Sequence, residues 1–283
     1  MFMEYVHWAE DADIVPAQTI YLMGCNLECL FCQTGDERRR LPAATLTPGL
    51  FRSILDRGRA AGARTVDILG GEPTVNAPAL VELFAAGPDF PGLVWNTNLY
   101  GCAETFGLLD GIVDIFLADI KFGNAACSAR LSGTADAGDV ARARSREIMA
   151  RGPEKLIVRH LVVPGHFDCC TRPVLEWIAA ELPGVRVSLK TVFMPWAGRK
   201  EPENRFLTPG EVDAATALAA SLGLRLTRDA VLPGPDDGAV GDGRPIDFEV
   251  AISPAGDIYL RHVVREAAAL LAAIQIANEG GQN

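Results

Sequence analysis

From Ile20 to about Arg228, short apolar and β-branched runs alternate with longer stretches whose apolar positions recur every three or four residues. That alternation is the mark of repeated βα units around a parallel sheet. Strands are predicted near Thr19–Met23, Thr65–Leu69, Leu93–Asn96, Ile112–Ala118, Leu156–Val163 and Val185–Val192, with helices between them. Thr47-Pro48 supplies an N-cap and a first-turn proline for a helix that runs to Ala61 and stops at Gly62. Further helices are predicted at Pro78–Ala86, Ala103–Leu109, Asp139–Ala150, Arg172–Leu182 and Thr208–Leu222, the last opening with Glu211 placed to reach back to its Thr208 cap. Six strands separated by helices predict an α/β fold over residues 1–228 and suit a partial (β/α)6 barrel of TIM type better than a flat sheet; in either geometry the chemistry collects at the carboxyl ends of the strands. Beyond it the Pro/Gly/Asp-rich stretch Pro233–Pro245 reads as a loop. Phe248–Ile252 and Ile258–Leu260 read as a hairpin about a Ser253–Asp257 turn, followed by a helix over Val263–Ala277. Residues 229–283 are thus expected to form a C-terminal hairpin-helix extension packed on the barrel.

With 283 residues, 49% of them hydrophobic and 22% charged, the chain can bury a substantial core, which excludes a disordered protein. Lys and Arg total 26 against 36 Asp and Glu, a net charge of -10 that opposes binding to nucleic-acid phosphates or anionic lipid, so neither nucleic acid nor membrane is expected as a partner. No run of eighteen apolar residues occurs and Met1–Ala12 is acidic, so a soluble, cytoplasmic protein is expected. Seven cysteines, an odd number, fit a reducing compartment better than a disulfide framework.

Three of them, Cys25, Cys29 and Cys32, fall within eight residues directly after the first predicted strand. Three soft thiolates on one loop suit an iron-sulfur cluster or zinc. Structural zinc wants a fourth Cys or His close by, and none is near in sequence; three ligands would instead leave one iron of a cubane cluster open to a second molecule. Gly70-Gly71-Glu72-Pro73 follows the second strand, where glycines let backbone approach a ligand closely and Glu72 can pair with a cation. Asn96-Thr97-Asn98 and Asp119-Ile120-Lys121 end the third and fourth strands. Arg159 and His160 lie inside the fifth, and a charge in so apolar a strand is costly unless paired, so Arg159 is expected to face the barrel mouth.

The Cys-x3-Cys-x2-Cys spacing with Phe31 before the last cysteine resembles the radical S-adenosylmethionine superfamily. That resemblance implies a 4Fe-4S cluster on Cys25, Cys29 and Cys32, and S-adenosyl-L-methionine on its open iron, cleaved to a 5'-deoxyadenosyl radical that abstracts hydrogen. It also implies that Gly70, Gly71 and Glu72 receive the methionyl ammonium and that Phe31 lies against the adenine. Gly-Cys-Asn-Leu-x-Cys, Gly-Gly-Glu-Pro-Thr, Trp95-Asn96-Thr97-Asn98, Asp119-x-Lys121 and Arg159-His160-Leu161-Val162-Val163-Pro164-Gly165 are further similar to the glycyl-radical-enzyme activases related to pyruvate formate-lyase activating enzyme. By that likeness Lys121 and Arg159 contact the methionyl carboxylate or substrate, Thr97 and Asp119 border the nucleoside, and Asn98 and His160 join the cofactor-binding set. The implied electron donor is reduced flavodoxin or ferredoxin, for which Arg38, Arg39 and Arg40 offer a docking face if they are not simply solvated. The implied substrate is a glycyl radical enzyme or, alternatively, a small molecule; a zinc-stabilised binding protein is the competing class. Asn96 and Leu117 depart from the acidic residue and methionine of the activases' monovalent-cation site. Cys169-Cys170 after His166 read as structural or incidental, because vicinal cysteines seldom turn both thiolates to one metal and no Cys-x2-Cys partner exists elsewhere, and Cys102 and Cys127 are read the same way.

Overall fold

A computed structural model describes residues 1, 3–7, 11–34, 43–86, 92–195, 200–228, 248–252 and 258–262. One eight-stranded sheet runs in sequence order: β1 (Met3–His7), β2 (Ala17–Leu22), β3 (Thr65–Gly70), β4 (Leu93–Thr97), β5 (Ile115–Asp119), β6 (Leu156–Leu161), β7 (Arg186–Lys190) and β8 (Arg225–Leu226). β1 pairs antiparallel with β2, and every later neighbour is parallel. The six predicted strands are all present, flanked by β1 at one edge and the two-residue β8 at the other; the sheet is open, as a partial barrel requires. Between strands lie α1 (Pro48–Ala60), α2 (Ala77–Ala86), α3 (Ala103–Leu108), α4 (Ala125–Ser132), α5 (Ala137–Arg151), α6 (Arg172–Glu181) and α7 (Pro209–Ser221). Thr47 caps α1 by accepting from the Leu50 amide, and Thr208 with Glu211 closes a reciprocal capping box on α7. Helix α4 was not foreseen; its eight residues are too few for a clear apolar period, and it is held by its Asn124 cap and by packing.

Strand alternation divides the core. Ile20, Ile68, Trp95, Phe116, Val158 and Val187 face the helices and pack with Phe51, Ile54, Phe106, Ile148 and Ile178. On the other face Val94, Leu117 and Ile157 join Ile14 and Val15, so Leu117 is a core residue. Two residues further along those strands the same face carries Asn96, Asp119 and Arg159. The inner face therefore runs from apolar at the amino ends of the strands to charged at their carboxyl ends. A third cluster, with Leu27, Phe31, Phe122, Leu131 and Phe193, lies under the cysteine loop.

The C-terminal hairpin is present as β9 (Phe248–Ile252) against antiparallel β10 (Ile258–His262), two residues longer than predicted. Its turn, the Pro233–Pro245 loop, the Val263–Ala277 helix and Arg38–Arg40 lie outside the described residues. Among the described residues no helix is long and apolar enough to cross a membrane.

Candidate functional site

The carboxyl ends of the strands surround a cavity of about 630 Å3, lined by all three clustered cysteines. Cys25, Cys29 and Cys32 are half-buried cysteines, none in a disulfide, on the loop that leaves β2. That loop is held from outside itself: the amides of Glu28 and Leu30 donate to the carbonyls of Ser132 and Leu131 at the end of α4, both at 2.9 Å. Asn26 donates its side-chain amide to the Tyr100 carbonyl, and Asn98 donates to Asn26 Oδ1 at 3.0 Å. Burial pushes the Cys29 thiol up to about 12, with Cys32 and Cys25 adding to the effect and Lys121 opposing it. A metal ion at these sulfurs must therefore displace protons.

The turn after β3 is built against the same loop. A Cβ on Gly71 would lie 1.6 Å from the Gly24 carbonyl oxygen, and one on Gly70, whose φ is +121°, would lie 2.2 Å from the Leu22 nitrogen. Their amide neighbours lock in place, Gly71 N–H donating to Leu22 O at 2.8 Å and Glu72 N–H to Gly24 O at 2.7 Å. The glycines thus serve first the close approach of two protein segments, which the sequence reading had assigned to ligand approach.

Glu72 lies at the cavity but is buried and engaged with protein. It accepts from Thr74 N–H (3.0 Å), Thr97 Oγ1 (2.7 Å) and Asn98 N–H (2.7 Å), tying the end of β3 to the end of β4. Burial raises its carboxyl above the usual range, while those donors work the other way. Thr97 is buried too, and its hydroxyl also accepts from the amide of Leu99, a buried residue with φ +57°, in the left-handed region that side chains other than glycine rarely adopt. The tight reversal after β4 that this makes aims Asn98 at the cysteine loop, its amide 4.0 Å from Cys25 Sγ.

Asp119 is gripped by two cations. Arg159 donates through Nε and Nη2, the latter at 3.0 Å, and Lys121 donates from β5's end; Arg159 also reaches Asn96 Oδ1 at 2.6 Å. Burial works against the charge on Asp119, yet Arg159 and Lys121 hold its carboxyl well below the usual range. Arg159 thus faces the mouth, as expected, and is paired within the protein. Asn96, in turn, donates to Asp67 at 3.4 Å.

His160 does not join this group. One residue along β6 from Arg159, it points to the opposite face, where Nδ1 meets the Ile120 carbonyl at 2.7 Å and Nε2 meets Thr171 Oγ1 at 3.0 Å. Phe31 does line the cavity while packing against Phe122 and Phe193 at 6.4 and 6.1 Å between centroids. Lys190, which the sequence reading passed over, lines the cavity from the end of β7 and pairs with buried Asp11 at 3.7 Å. Its position at a predicted strand's carboxyl end was the available signal. Lys121, Arg159 and Lys190 bring three cationic head groups to the cavity, offset by Glu72, Asp119 and the Asp11 partner of Lys190.

Three of the four remaining cysteines come together. Cys127, Cys169 and Cys170 gather around His166, none of the four lining the cavity, while Cys102 is exposed and outside that group. Vicinal placement is no obstacle here, because positions three and four after His166 share one face of a helical turn.

A family model described as the Radical SAM superfamily matches residues 19–178. The uncharacterized protein MJ0674 of Methanocaldococcus jannaschii is 33% identical over 235 residues, covering 80% of this chain and 68% of its own. Among solved structures, SuiB of Streptococcus suis is similar with a TM-score of 0.56 at 15% identity, over 74% of this chain and 48% of that one. The structure of anSMEcpe with bound AdoMet is similar with a TM-score of 0.55 at 14% identity, over 75% and 64%. The chain thus spans about half of SuiB and just under two thirds of anSMEcpe, and at these identities both share its fold.

Proposed function

The chain belongs to the radical S-adenosylmethionine superfamily, whose enzymes use a 4Fe-4S cluster and S-adenosyl-L-methionine, and we propose that it uses them to take hydrogen from a glycine in a partner polypeptide, in the manner of a glycyl-radical-enzyme activase. The observation that carries this reading is the convergence of the three thiols with Glu72, Asn98, Asp119, Lys121 and Arg159 on one cavity. The donor set fits the cluster: three half-buried thiols line a shared space, and the Leu27 amide points at Cys25 Sγ at 3.4 Å, as amides do toward cluster thiolates. When bound, the cluster supplies the one electron, drawn from reduced flavodoxin or ferredoxin, that cleaves S-adenosyl-L-methionine to the 5'-deoxyadenosyl radical.

The protein's own groups hold and orient. Cys25, Cys29 and Cys32 hold the cluster. Lys121 and Arg159, already aligned by Asp119, receive the methionyl carboxylate through charge-assisted hydrogen bonds. Glu72, Thr97 and Asn98 act as one braced unit that presents the Gly70-Gly71 turn to the ammonium. Phe31 offers its face to the adenine. The run of activase-like motifs from Gly24 to Gly165 supports the polypeptide substrate. The polar groups of Asn96, Gln33 and Lys190, which line the same cavity and are not assigned to the cofactors, support a small metabolite as the second reading.

Anaerobic reconstitution with iron, sulfide, reductant and S-adenosyl-L-methionine is expected to yield 5'-deoxyadenosine, and C25A/C29A/C32A to abolish it; cleavage that survives in that variant overturns the reading. Paramagnetic resonance after mixing with a candidate partner decides the substrate. A stable glycyl radical, absent when the partner's glycine is replaced by alanine, supports activation. Substrate deuterium carried into 5'-deoxyadenosine without any partner protein supports the metabolite.

A further inference from the structure

We propose that Cys127, His166, Cys169 and Cys170 form a second metal centre, a closed tetrahedral site for one Zn(II) ion. Their four ligand atoms lie within 4.8 Å of one another. His166 Nδ1 stands 3.7 Å from Cys127 Sγ, 3.1 Å from Cys169 Sγ and 3.8 Å from Cys170 Sγ. With metal bonds of about 2.3 Å to sulfur and 2.0 Å to nitrogen, the nitrogen–sulfur edge of a zinc tetrahedron is about 3.5 Å. In a cubane cluster each thiolate takes its own iron and the ligand atoms spread further apart, so this spacing fits a single ion. Three thiolates and one imidazole, with no position left for water, are the donor set of a structural zinc site.

The surroundings are built to bring these groups together. Gly123 passes so close to the other segment that a Cβ there would lie 2.2 Å from the Cys169 carbonyl oxygen and 2.7 Å from Cys170 Cα. Asn124 caps α4 by accepting from the Cys127 amide at 2.8 Å, and its own amide group donates to the Cys169 carbonyl at 2.9 Å and faces Cys127 Sγ at 3.4 Å. Phe167–Thr171 forms a widened turn in which the Cys170 and Thr171 amides both donate to the His166 carbonyl, at 2.9 and 3.2 Å. Such turns recur at functional sites.

Behind the imidazole, His166 Nε2 meets buried Glu203 Oε1 at 3.1 Å, the carboxylate–histidine arrangement that fixes a metal-bound histidine with Nδ1 free for the ion. Arg130 pairs with the same carboxylate and stands 2.6 Å from Nε2. A proton on Nε2 directed at Glu203 requires the Arg130 head group, 48% exposed, to move off Nε2 while it keeps its ion pair. The site sits at the first turn of α4, whose last carbonyls hold the loop of Cys25, Cys29 and Cys32. Its role is to pin the helix on which that loop rests.

The test is metal content in full-length protein purified anaerobically. Wild type and C25A/C29A/C32A are each expected to carry about one zinc per chain, and adding Cys169→Ala and Cys170→Ala to the triple variant is expected to remove it. Cobalt added to the zinc-depleted triple variant is expected to give tetrahedral thiolate bands that saturate at one equivalent. Glu203→Gln, which leaves all four ligands, is expected to lower zinc affinity by about 10- to 100-fold with an unchanged circular dichroism spectrum. Zinc near zero in the wild type, zinc retained without Cys169 and Cys170, or a disulfide from Cys127 in freshly isolated protein overturns the proposal. Because the decisive chain lacks the first three cysteines, each of these results leaves the radical chemistry to be judged separately.

Discussion

Replacing Asp119 by asparagine keeps the shape of the side chain and removes the anion that Arg159 and Lys121 share. The three side chains are only 15–16% exposed. Removing one partner from a buried ion pair costs about 3–5 kcal/mol, because the charge left behind is still kept from water. Here two features soften that cost: the cations border a cavity of about 630 Å3 that admits solvent, and Arg159 keeps its 2.6 Å bond to Asn96. We therefore expect a loss of about 2–3 kcal/mol, or a melting temperature lower by roughly 4–12 °C. The pH dependence follows from the direction of the shift. Folding lowers the pKa of Asp119 below its unfolded value of about 3.9, so its contribution is fully present above that pH and fades as the medium becomes more acidic. The gap between wild type and D119N is expected to be constant from pH 7 to 5 and to narrow below about pH 4. Urea unfolding of the metal-free, reduced chain followed by circular dichroism measures it. Equal stability at pH 7, or a gap that widens in acid, would refute the argument that this carboxylate balances the two cations.

Other consequences can be checked alongside. Burial pulls the imidazole of His160 down to about 4, with the Ile120 carbonyl opposing and Lys121 assisting, so it folds neutral. Its contribution is complete above about pH 6.5 and falls away toward pH 4, by up to roughly 3 kcal/mol, and H160Q is expected to flatten that limb of the stability profile measured by urea midpoints. Gly71→Ala must drive the β3 turn off the Gly24 carbonyl, and after reconstitution it is expected to hold less than about half the wild-type iron, with a stability loss of about 2 kcal/mol or more; wild-type iron content would mean the two turns are not coupled. Thr208→Ala removes the cap of α7 and is expected to lower the melting temperature by about 2–4 °C without changing 5'-deoxyadenosine yield.

Much of this architecture was written in local pattern. The alternation of β-branched runs with capped helices marked the six inner strands, and the rule that chemistry collects at strand carboxyl ends placed Asn96, Asp119, Lys121 and Arg159 around a common space. What escaped depended on contacts between distant segments. Strand β1 exists because β2 offers it an edge, and α4 because its cap and neighbours hold eight residues of weak amphipathicity. The alternation that turns Arg159 inward necessarily turns His160 outward, a consequence available from sequence but obscured by taking the two as one motif. The grouping of Cys127 with His166 was invisible for another reason: the residues are 39 apart and meet only where Gly123 lets two segments touch.

The carbonyls of Leu131 and Ser132 that support the cysteine loop also set an order of events during synthesis. Cys32 leaves the ribosome about 100 residues ahead of Ser132, an interval of roughly 5–20 s at ordinary elongation rates. Through that interval the three thiols travel on a nascent segment without its scaffold, open to whatever soft ion is at hand. The arrangement of these thiols seen in the folded chain therefore becomes available only after the fourth helix has been made.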